Sequence, residues 1–242
     1  MKLITGCNEQ YISKIQAYLS SLRQFAEFPI YFCTVGFRDK GDKKINAVHL
    51  PRSMNAGAPV ETESIQHGSF LPIIEAHPAE TIIYTDGDFV MQRPMTQNEQ
   101  EFLTLKDYEV VAGYNFGAHC TLMHDAQIIG RKISNSELLE RWGDILLKAQ
   151  DFNAGFLAMN TKTWQILYTN YMRDWQKACA DFAHQARQQW LISYEIATLG
   201  FYVKICPWSI HAHGHGGLKP GMERRRDGVY YNGDLALFRH YL

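Results

Sequence analysis

The chain has 242 residues, of which 46% are hydrophobic and 20% are charged, and its formal net charge is -1. This composition is typical of a folded globular protein, and a chain of this length is expected to form one domain. The balanced charge gives no broad basic surface of the kind that nucleic acids or anionic membranes require, so we expect neither as a partner.

The cysteines and the N-terminal segment indicate the compartment. The five cysteines are widely spaced and include no Cys-x-x-Cys pair, which predicts neither a disulfide framework nor a zinc knuckle. The N-terminal segment turns polar before a signal sequence could be complete, and no uninterrupted apolar run reaches about 18 residues. We therefore expect a cytoplasmic protein without a transmembrane segment, and the sequence leaves its oligomeric state open.

The first half of the chain, from Met1 to about Gly113, alternates short apolar runs with amphipathic stretches, as in a layered α/β sheet. Apolar residues three or four apart over 12–25 predict a helix on the first strand, and Pro29 ends it. A polar, glycine-containing loop over 51–68 is expected at the carboxyl ends of the strands, where α/β sheets bind ligands. Strands are predicted over residues 2–6, 30–36, 45–50, 81–84 and 109–114, and a short helix over 70–76.

The second half continues the α/β pattern after residues 115–133, which have no clean period and which we interpret as a flexible lid. The tail from Pro207 onward is predicted to be irregular until a last strand near 235–239. Between these segments, helices are predicted over 138–149, 163–182 and 188–199, and strands over 156–160 and 202–206. The fold class predicted from this order is α/β, with a mixed sheet flanked by helices.

Asp86 and Asp88 are separated by one glycine directly after the buried strand predicted over 81–84. Side chains two apart on an extended backbone point the same way, so both carboxylates can approach one cation, and Gly87 allows a turn. Carboxylate oxygens suit Mn²⁺ or Mg²⁺, whose remaining positions can bind diphosphate oxygens. An Asp-Gly-Asp sequence is also an ordinary turn, but its position at the carboxyl edge of the sheet favours a metal site.

Three histidines, His211, His213 and His215, alternate with small residues in a glycine-rich segment that leads to Lys219. The imidazoles could reach a metal, the glycines would let backbone amides approach phosphate oxygens, and Lys219 adds a positive charge. A glycine-rich surface loop is one alternative. A zinc hydrolase that uses the three histidines is another, although the aspartate expected downstream of a His-x-His pair is absent.

Small residues precede the strand predicted over 156–160. Asn153 can both donate to and accept from sugar hydroxyls, and Ala154 and Gly155 leave space for a sugar ring beside the backbone. An ordinary turn from loop to strand explains the same residues equally well.

Three further polar or aromatic residues are ambiguous by themselves. Gln188 and Gln189 begin an apolar helix, where glutamines are usually solvated. Tyr11 could stack on a nucleotide base, although an aromatic residue in the first turn of a helix more often belongs to the core.

In this order, the segments resemble the GT-A-fold glycosyltransferases, in particular the retaining family of glycogenin and the bacterial lipopolysaccharide galactosyl- and glucosyltransferases. Residues 7–11 resemble that family's nucleotide-base segment, 82–88 its strand and Asp-x-Asp motif, and 152–156 its Asn-Ala-Gly sugar-binding strand. Gln188-Gln189 stands where the family carries Asp-Gln. The family's His-x-x-Gly-x-x-Lys-Pro loop is matched by His213, Gly216, Lys219 and Pro220.

The resemblance implies a metal-dependent, hexosyltransferase-like enzyme with one GT-A domain over residues 1–242. Residues 1–113 would form the nucleotide-binding half and residues 114–242 the sugar- and acceptor-binding half. The implied cofactor is Mn²⁺ or Mg²⁺, and the implied donor is a nucleoside diphosphate sugar, expected to be a UDP-sugar. The acceptor, whether carbohydrate, lipid-linked or protein, is not specified, because acceptor surfaces are built from loops without a local motif.

The resemblance also implies a role for each matched residue. The expected metal ligands are Asp86, Asp88 and His213, with His240 as the alternative histidine. The expected contacts to the donor are Asn8 and Tyr11 at the base, Gly216 and Lys219 at the diphosphate, and Asn153, Ala154, Gly155 and Gln188 at the sugar. The expected catalytic residues are Asp86, through the metal, and Gln189, which would stabilise an oxocarbenium-like transition state.

Two departures from the family pattern keep other functions open. Gln188 replaces an acidic residue, and the arginine or lysine usual in the helix before the Asp-x-Asp strand is not evident, so the sequence decides neither the sugar nor retention against inversion. The Gln188 departure also leaves a nucleotide-sugar-binding module without catalysis as an alternative. A zinc hydrolase that uses His211, His213 and His215 is a second alternative. A nucleotidyltransferase would need a glycine-rich basic loop after the first strand, and residues 6–9 are not such a loop.

Overall fold

The fold is given by a computed structural model, which describes residues 1–50, 71–114, 121–130, 133–182, 187–213 and 218–240. The helices in these ranges are α1 (Ile12–Phe25), α2 (Leu71–Ala76), α3 (Gln97–Phe102), α4 (Leu122–Ile129), α5 (Asn135–Trp142), α6 (Thr161–Asp181) and α7 (Arg187–Thr198). Short 3-10 helices span Glu9–Tyr11 and Asp144–Leu147.

The strands form three sheets. They are β1 (Lys2–Asn8), β2 (Ile30–Val35), β3 (Ile45–Leu50), β4 (Ile82–Thr85), β5 (Phe89–Met91), β6 (Glu109–Gly113), β7 (Asn153–Met159), β8 (Tyr202–Ile205), β9 (His211–His213), β10 (Met222–Arg225), β11 (Gly228–Tyr231), β12 (Asp234–Leu235) and β13 (Phe238–His240). The main sheet has seven strands in the order β3-β2-β1-β4-β7-β6-β8, and the two small sheets have the orders β10-β11-β12 and β5-β13-β9. The predicted mixed sheet flanked by helices is confirmed.

The strand directions of the main sheet gather the ends of several strands at one edge. β1 runs parallel to β2 and β4, whereas β7 runs antiparallel to both β4 and β6. The carboxyl ends of β1, β4 and β6 therefore lie at the same edge as the amino end of β7. Asp86 follows β4 and Asn153 begins β7, so the topology brings these two residues to one edge.

Helix α1 packs against the strands that form this edge of the sheet. Its apolar stripe, which includes Tyr18 and Leu19, is buried against the sheet. The Tyr18 hydroxyl lies 2.6 Å from Thr85 Oγ1 in β4, and Ser21 Oγ accepts the N–H of Met91 in β5 at 3.0 Å. One helix therefore fixes both of the strands that flank the Asp-Gly-Asp turn.

Helix α4 corrects the prediction of a flexible lid over 115–133. Its N-cap is Thr121, whose side chain accepts the N–H of His124 at 3.3 Å, and Leu122 and Ala126 are fully buried. A helix of eight residues makes little more than two turns, so its apolar stripe is too short to give a clear period. The remaining residues of the predicted lid, 115–120 and 131–132, lie outside the described ranges, as does the loop predicted over 51–68.

Two predicted boundaries in the second half are wrong. The helix expected over 138–149 is α5 followed by a 3-10 helix, because Gly143 has a φ of 82° and interrupts the α-helix. β7 begins at Asn153, three residues before the predicted start, because Gly155 pairs with the chain at Asp86. The small residues of the Asn-Ala-Gly motif are therefore part of a strand and not of a loop.

The tail from Pro207 is not irregular, since β9 to β12 lie within it. These strands have two to four residues each, and their stability depends on partners that are distant in the chain, such as β13 for β9. Strands of this length leave no periodic signal in the sequence.

The described cysteines and helices bear on two further expectations. Among the described cysteines, Cys7, Cys33, Cys179 and Cys206 are free thiols. Within the described ranges, no helix combines the length and the apolar character needed to cross a membrane.

Candidate metal and donor site

The turn from β4 to β5 carries Asp86 and Asp88. A Cβ on Gly87 would lie 3.0 Å from Ile15 Cδ1 in α1 and 3.2 Å from the Gly6 carbonyl oxygen in β1. The backbone of the turn therefore packs closely against α1 and β1. This packing fixes the backbone positions from which the Asp86 and Asp88 side chains extend.

Asp86 is held by contacts on both sides. Its N–H donates to the Gly155 carbonyl oxygen at 3.0 Å, which extends the pairing of β4 with β7. The Tyr84 phenol donates to Asp86 Oδ1 at 2.6 Å. The backbone of Asp86 is therefore fixed to β7, and one oxygen of its carboxylate is held by Tyr84.

His240 joins the two carboxylates through the small sheet β5-β13-β9. The register of β13 places His240 beside Phe89, and the two rings stack with centroids 4.1 Å apart. His240 Nε2 lies 3.1 Å from Asp88 Oδ1, and the His240 side chain is 1% exposed while that of Asp88 is 33% exposed. The strand near the C-terminus thus brings a buried imidazole to the Asp-Gly-Asp turn.

Asp86, Asp88 and His240 form a group with the composition of a metal site. One ligand atom of each lies within 4.8 Å of the others, and the described part of the chain contains no second such group of His, Cys, Asp and Glu. A Cβ on Gly155 would lie 2.7 Å from Asp86 Oδ2 and 3.1 Å from His240 Cε1, so only a residue without a side chain fits this closely against the group. Two carboxylates and one imidazole in such a group fit a divalent cation such as Mn²⁺ or Mg²⁺.

His211 supports His240 and does not belong to the group of three. Its ring is 1% exposed and packs against Phe89 and Phe156, with centroid distances of 5.0 and 5.4 Å. His211 Nε2 lies 3.2 Å from His240 Nδ1. The zinc hydrolase interpretation requires His211 to be a metal ligand. In the structure His211 is instead a buried residue that contacts His240, the candidate ligand.

The predicted sugar-facing residues of β7 lie next to the metal group. Asn153 Oδ1 accepts the N–H of Gly155 at 2.9 Å. The space that a Cβ on Gly155 would fill lies 2.8 Å from the same Asn153 atom. Ala154 and Asn153 are both buried. The start of β7 and the metal group are therefore in close contact.

Gln189 reaches this region from helix α7. Its Oε1 lies 3.4 Å from the N–H of Ala154, and its Nε2 donates to Asp151 Oδ2 at 2.8 Å. Gln188, its neighbour, is half-buried. The structure thus brings together Gln189 and the Asn-Ala-Gly strand, which are separated in the sequence by a long helix.

The residues predicted to contact the base and the diphosphate of the donor differ in how exposed they are. Asn8 ends β1 and is 5% exposed, while Tyr11 is 38% exposed and has Lys14 Nζ 4.9 Å from its ring centroid. Lys219 is half-buried, and burial lowers its pKa.

The remaining predictions for this site fall outside the description. They concern the side chain of His213 and the residues His215 and Gly216. The backbone of His213 ends β9 and is the register partner of His240.

Two features of the site were missing from the sequence interpretation. One is the contact of His211 with His240, and the other is the contact of Asp151 with Gln189. The sequence contained a partial signal for the contact of Asp151 with Gln189. Gln189 and Ser193 are four residues apart, so they lie on one face of a helix and can contact the same neighbouring segment. Ser193 Oγ accepts the N–H of Phe152 at 2.9 Å, which anchors that face to the residues before β7.

Comparison with solved structures identifies the fold. The chain is similar to the galactosyltransferase LgtC in complex with donor and acceptor sugar analogs, with a TM-score of 0.63 and 13% sequence identity over 100% of this chain and 87% of that one. It is also similar to an active-site mutant of LgtC in which glutamate replaces a glutamine, with a TM-score of 0.60, 13% identity and the same coverage. No protein-family model and no curated protein matches the sequence. At this identity the likeness establishes the fold, which is the GT-A fold that the sequence resemblance implied.

Proposed function

We propose that this protein is a glycosyltransferase that moves a sugar from a nucleoside diphosphate sugar, a UDP-sugar, to an acceptor. The observation that carries the proposal is the group of Asp86, Asp88 and His240, against which Gly155 of the Asn-Ala-Gly strand packs closely. Because the group lies at the carboxyl edge of a mixed α/β sheet, it stands where such sheets bind ligands. The likeness to LgtC, a galactosyltransferase crystallised with donor and acceptor sugar analogs, supports the same assignment.

Asp86, Asp88 and His240 are proposed to hold Mn²⁺ or Mg²⁺. A cation bound there would supply Lewis acid stabilisation of the charge that develops on the nucleoside diphosphate as it leaves. His213 remains a candidate ligand because its backbone is the neighbour of His240 in the small sheet.

The donor is proposed to lie along the shared edge of β1, β4 and β7. Asn8 and Tyr11 would contact the base, and Lys219 and Gly216 the diphosphate. The sugar would lie against Asn153, Ala154, Gly155 and Gln188. The close approach of Gly155 to both Asn153 Oδ1 and Asp86 Oδ2 supports this placement, because it joins the Asn-Ala-Gly strand to the metal group.

Gln189 is the proposed catalytic side chain on the sugar side. Its Oε1 faces β7, where it lies near the backbone N–H of Ala154. An amide oxygen near the anomeric carbon would stabilise positive charge as the bond to the diphosphate breaks. LgtC has a glutamine among its active-site residues, as its glutamate mutant implies, and this supports a glutamine in the same role here.

The test is a thermal-shift panel of nucleoside diphosphate sugars, each measured with and without Mn²⁺, on the wild type and Asp88→Asn. We expect one donor to raise the melting temperature only with metal, and the shift to be lost in the variant. Asp107→Asn is the matched control, because Asp107 precedes β6 at the opposite edge of the sheet and pairs with Lys162. Equal shifts in Asp88→Asn and the wild type would contradict the proposal.

A second measurement separates transfer from binding alone. Release of the nucleoside diphosphate from the stabilising donor, followed by chromatography, is expected for an enzyme. Metal-dependent binding without any release would instead identify a nucleotide-sugar-binding module. Tightly held zinc together with no nucleotide binding would favour the hydrolase alternative.

A further inference from the structure

Asp151 is a buried carboxylate that the proposed function does not yet use. It precedes β7 and is 7% exposed. Its Oδ1 accepts the N–H of Phe152 at 3.0 Å, while its Oδ2 accepts from Gln189 Nε2 at 2.8 Å. One oxygen therefore binds the local backbone and the other binds the proposed catalytic amide, while Ser193 and Asp125 also hydrogen-bond to this carboxyl group.

The two contacts of Gln189 determine which way its amide faces. A carboxylate can only accept and a backbone N–H can only donate, so Nε2 faces Asp151 and Oε1 faces Ala154. A protonated Asp151 could offer an O–H instead, and the amide would then lose one of its two constraints. The orientation of Gln189 is thus firmly set only while Asp151 is ionised.

We propose that Asp151 is a positioning residue that holds Gln189 with its oxygen toward the donor sugar and, when ionised, increases the negative charge on that oxygen. The inference rests on the proposed function, because it gives Gln189 a sugar to face. The physical reason is that a charged acceptor on the N–H side of an amide polarises the group toward its carbonyl oxygen. More negative charge on Oε1 would stabilise the cationic transition state more strongly.

The surroundings of Asp151 make its charge sensitive to pH. Burial raises its pKa to about 7, hydrogen bonds from Ser193 and Gln189 oppose this rise, and the carboxyl group of Asp125 in α4 adds to it. His124 is also titratable, and its Nδ1 lies 3.5 Å from Asp125 Oδ1. As the pH falls through this range, Asp151 takes up a proton, and its effect on Gln189 is lost.

The first experiment measures turnover of UDP-galactose and UDP-glucose by the wild type, Asp151→Asn and Asp181→Asn. Asp151→Asn is expected to lower kcat at least about 10-fold and to leave the KM for the donor unchanged, because donor contacts are kept. Asp181→Asn is the matched control, since Asp181 is a buried aspartate that bonds to Trp142 away from the site. A purely structural Asp151 would lower the melting temperature and leave kcat unchanged, and this result would overturn the inference.

The second experiment uses the pH dependence of kcat. The wild type is expected to lose activity as pH falls through the pKa of Asp151. Asp125→Asn removes a like charge, lowers that pKa and moves the acid limb of the profile to lower pH. An acid limb that stays in place in Asp125→Asn, or that persists in Asp151→Asn, contradicts the inference.

The third experiment needs no activity, so it separates failure of the inference from failure of the proposed function. The side-chain amide of Gln189 is followed by ¹H–¹⁵N NMR while the Asp151 carboxyl carbon is titrated in ¹³C-labelled protein. We expect the two signals to change with one shared pKa, and that pKa to fall in Asp125→Asn. A wild type that cleaves no donor but shows this linkage refutes only the enzymatic proposal, whereas a Gln189 signal that ignores Asp151 refutes the inference.

Discussion

His211 Nε2 lies 3.2 Å from His240 Nδ1, and the opposite nitrogen of His240 lies 3.1 Å from Asp88 Oδ1. For His240 Nε2 to present a lone pair to a metal, its Nδ1 must carry the hydrogen and donate it to His211. The buried pair therefore orients the ring of the candidate ligand, and with a metal on Nε2 it would also hold the required tautomer.

Replacing His211 is expected to weaken the metal site without removing a ligand. In His211→Phe the ring can still pack against Phe89 and Phe156, but it can no longer accept from His240. We expect Mn²⁺ to bind about 10- to 100-fold more weakly, as for other groups that orient a metal ligand, measured by isothermal titration calorimetry. His77→Phe is the control, because the exposed His77 ring stacks on Tyr31 elsewhere. Unchanged affinity in His211→Phe would show that His240 is positioned without His211.

Gly155→Ala tests the close packing of β7 against the metal group. The new Cβ would lie 2.7 Å from Asp86 Oδ2 and 2.8 Å from Asn153 Oδ1, which are both ends of side chains, so we expect the protein to fold with the ligand atom displaced. We expect Mn²⁺ affinity to fall by about 10-fold or more, with only a small change in the melting temperature without metal. Gly228→Ala is the matched control, since its Cβ would displace only the ends of Leu235 and Gln92. A normal Mn²⁺ affinity in Gly155→Ala would argue against the placement of the ion.

Glu195 is expected to make stability depend on pH. It is fully buried in α7, and burial together with the neighbouring Asp174 raises its pKa from 4.5 to about 8. Because the folded-state pKa exceeds the unfolded one, the stability that Glu195 provides is complete below pH 4.5 and is lost as pH rises toward 8. Within this window the free energy of unfolding is expected to fall by up to about 1.4 kcal/mol per pH unit.

Glu195→Gln removes this titration, so its melting temperature should rise relative to the wild type as pH increases from 5 to 8, measured by calorimetry in matched buffers. Glu80→Gln, at an exposed position, is the control and should follow the wild type at every pH. A constant offset between Glu195→Gln and the wild type across the range would count against the raised pKa.

Asp181 links α5 to α6 and should matter for stability. It is 3% exposed, accepts from Trp142 Nε1 at 2.8 Å and lies 2.7 Å from Arg141 Nη2. Asp181→Ala leaves the buried indole N–H without this acceptor, so we expect a loss of about 2–3 kcal/mol by urea denaturation. The exposed Asp107 pairs with Lys162, and Asp107→Ala should change stability little, because solvent screens such pairs. Similar losses in both variants would mean that burial of the Asp181 contact contributes nothing.

The first half of the fold could be predicted because its signals are local. The apolar residues of α1 recur with a helical period, and β4 is a continuous apolar run. Both elements occur close to the positions that these patterns predict. The signals fail for α4 and for the strands after Pro207, which have eight residues or fewer and depend on partners elsewhere.

The sequence by itself determined that two carboxylates follow a buried strand, because a strand and its turn are contiguous and their side-chain directions follow from the backbone alone. Only the tertiary structure decided that His240 lies beside Asp88, and that Asp151 holds Gln189. Those contacts depend on the register of β13 on β5 and on how α7 packs against β7. The strand register and the helix packing depend on contacts between segments that are distant in the sequence, so no local motif predicts them.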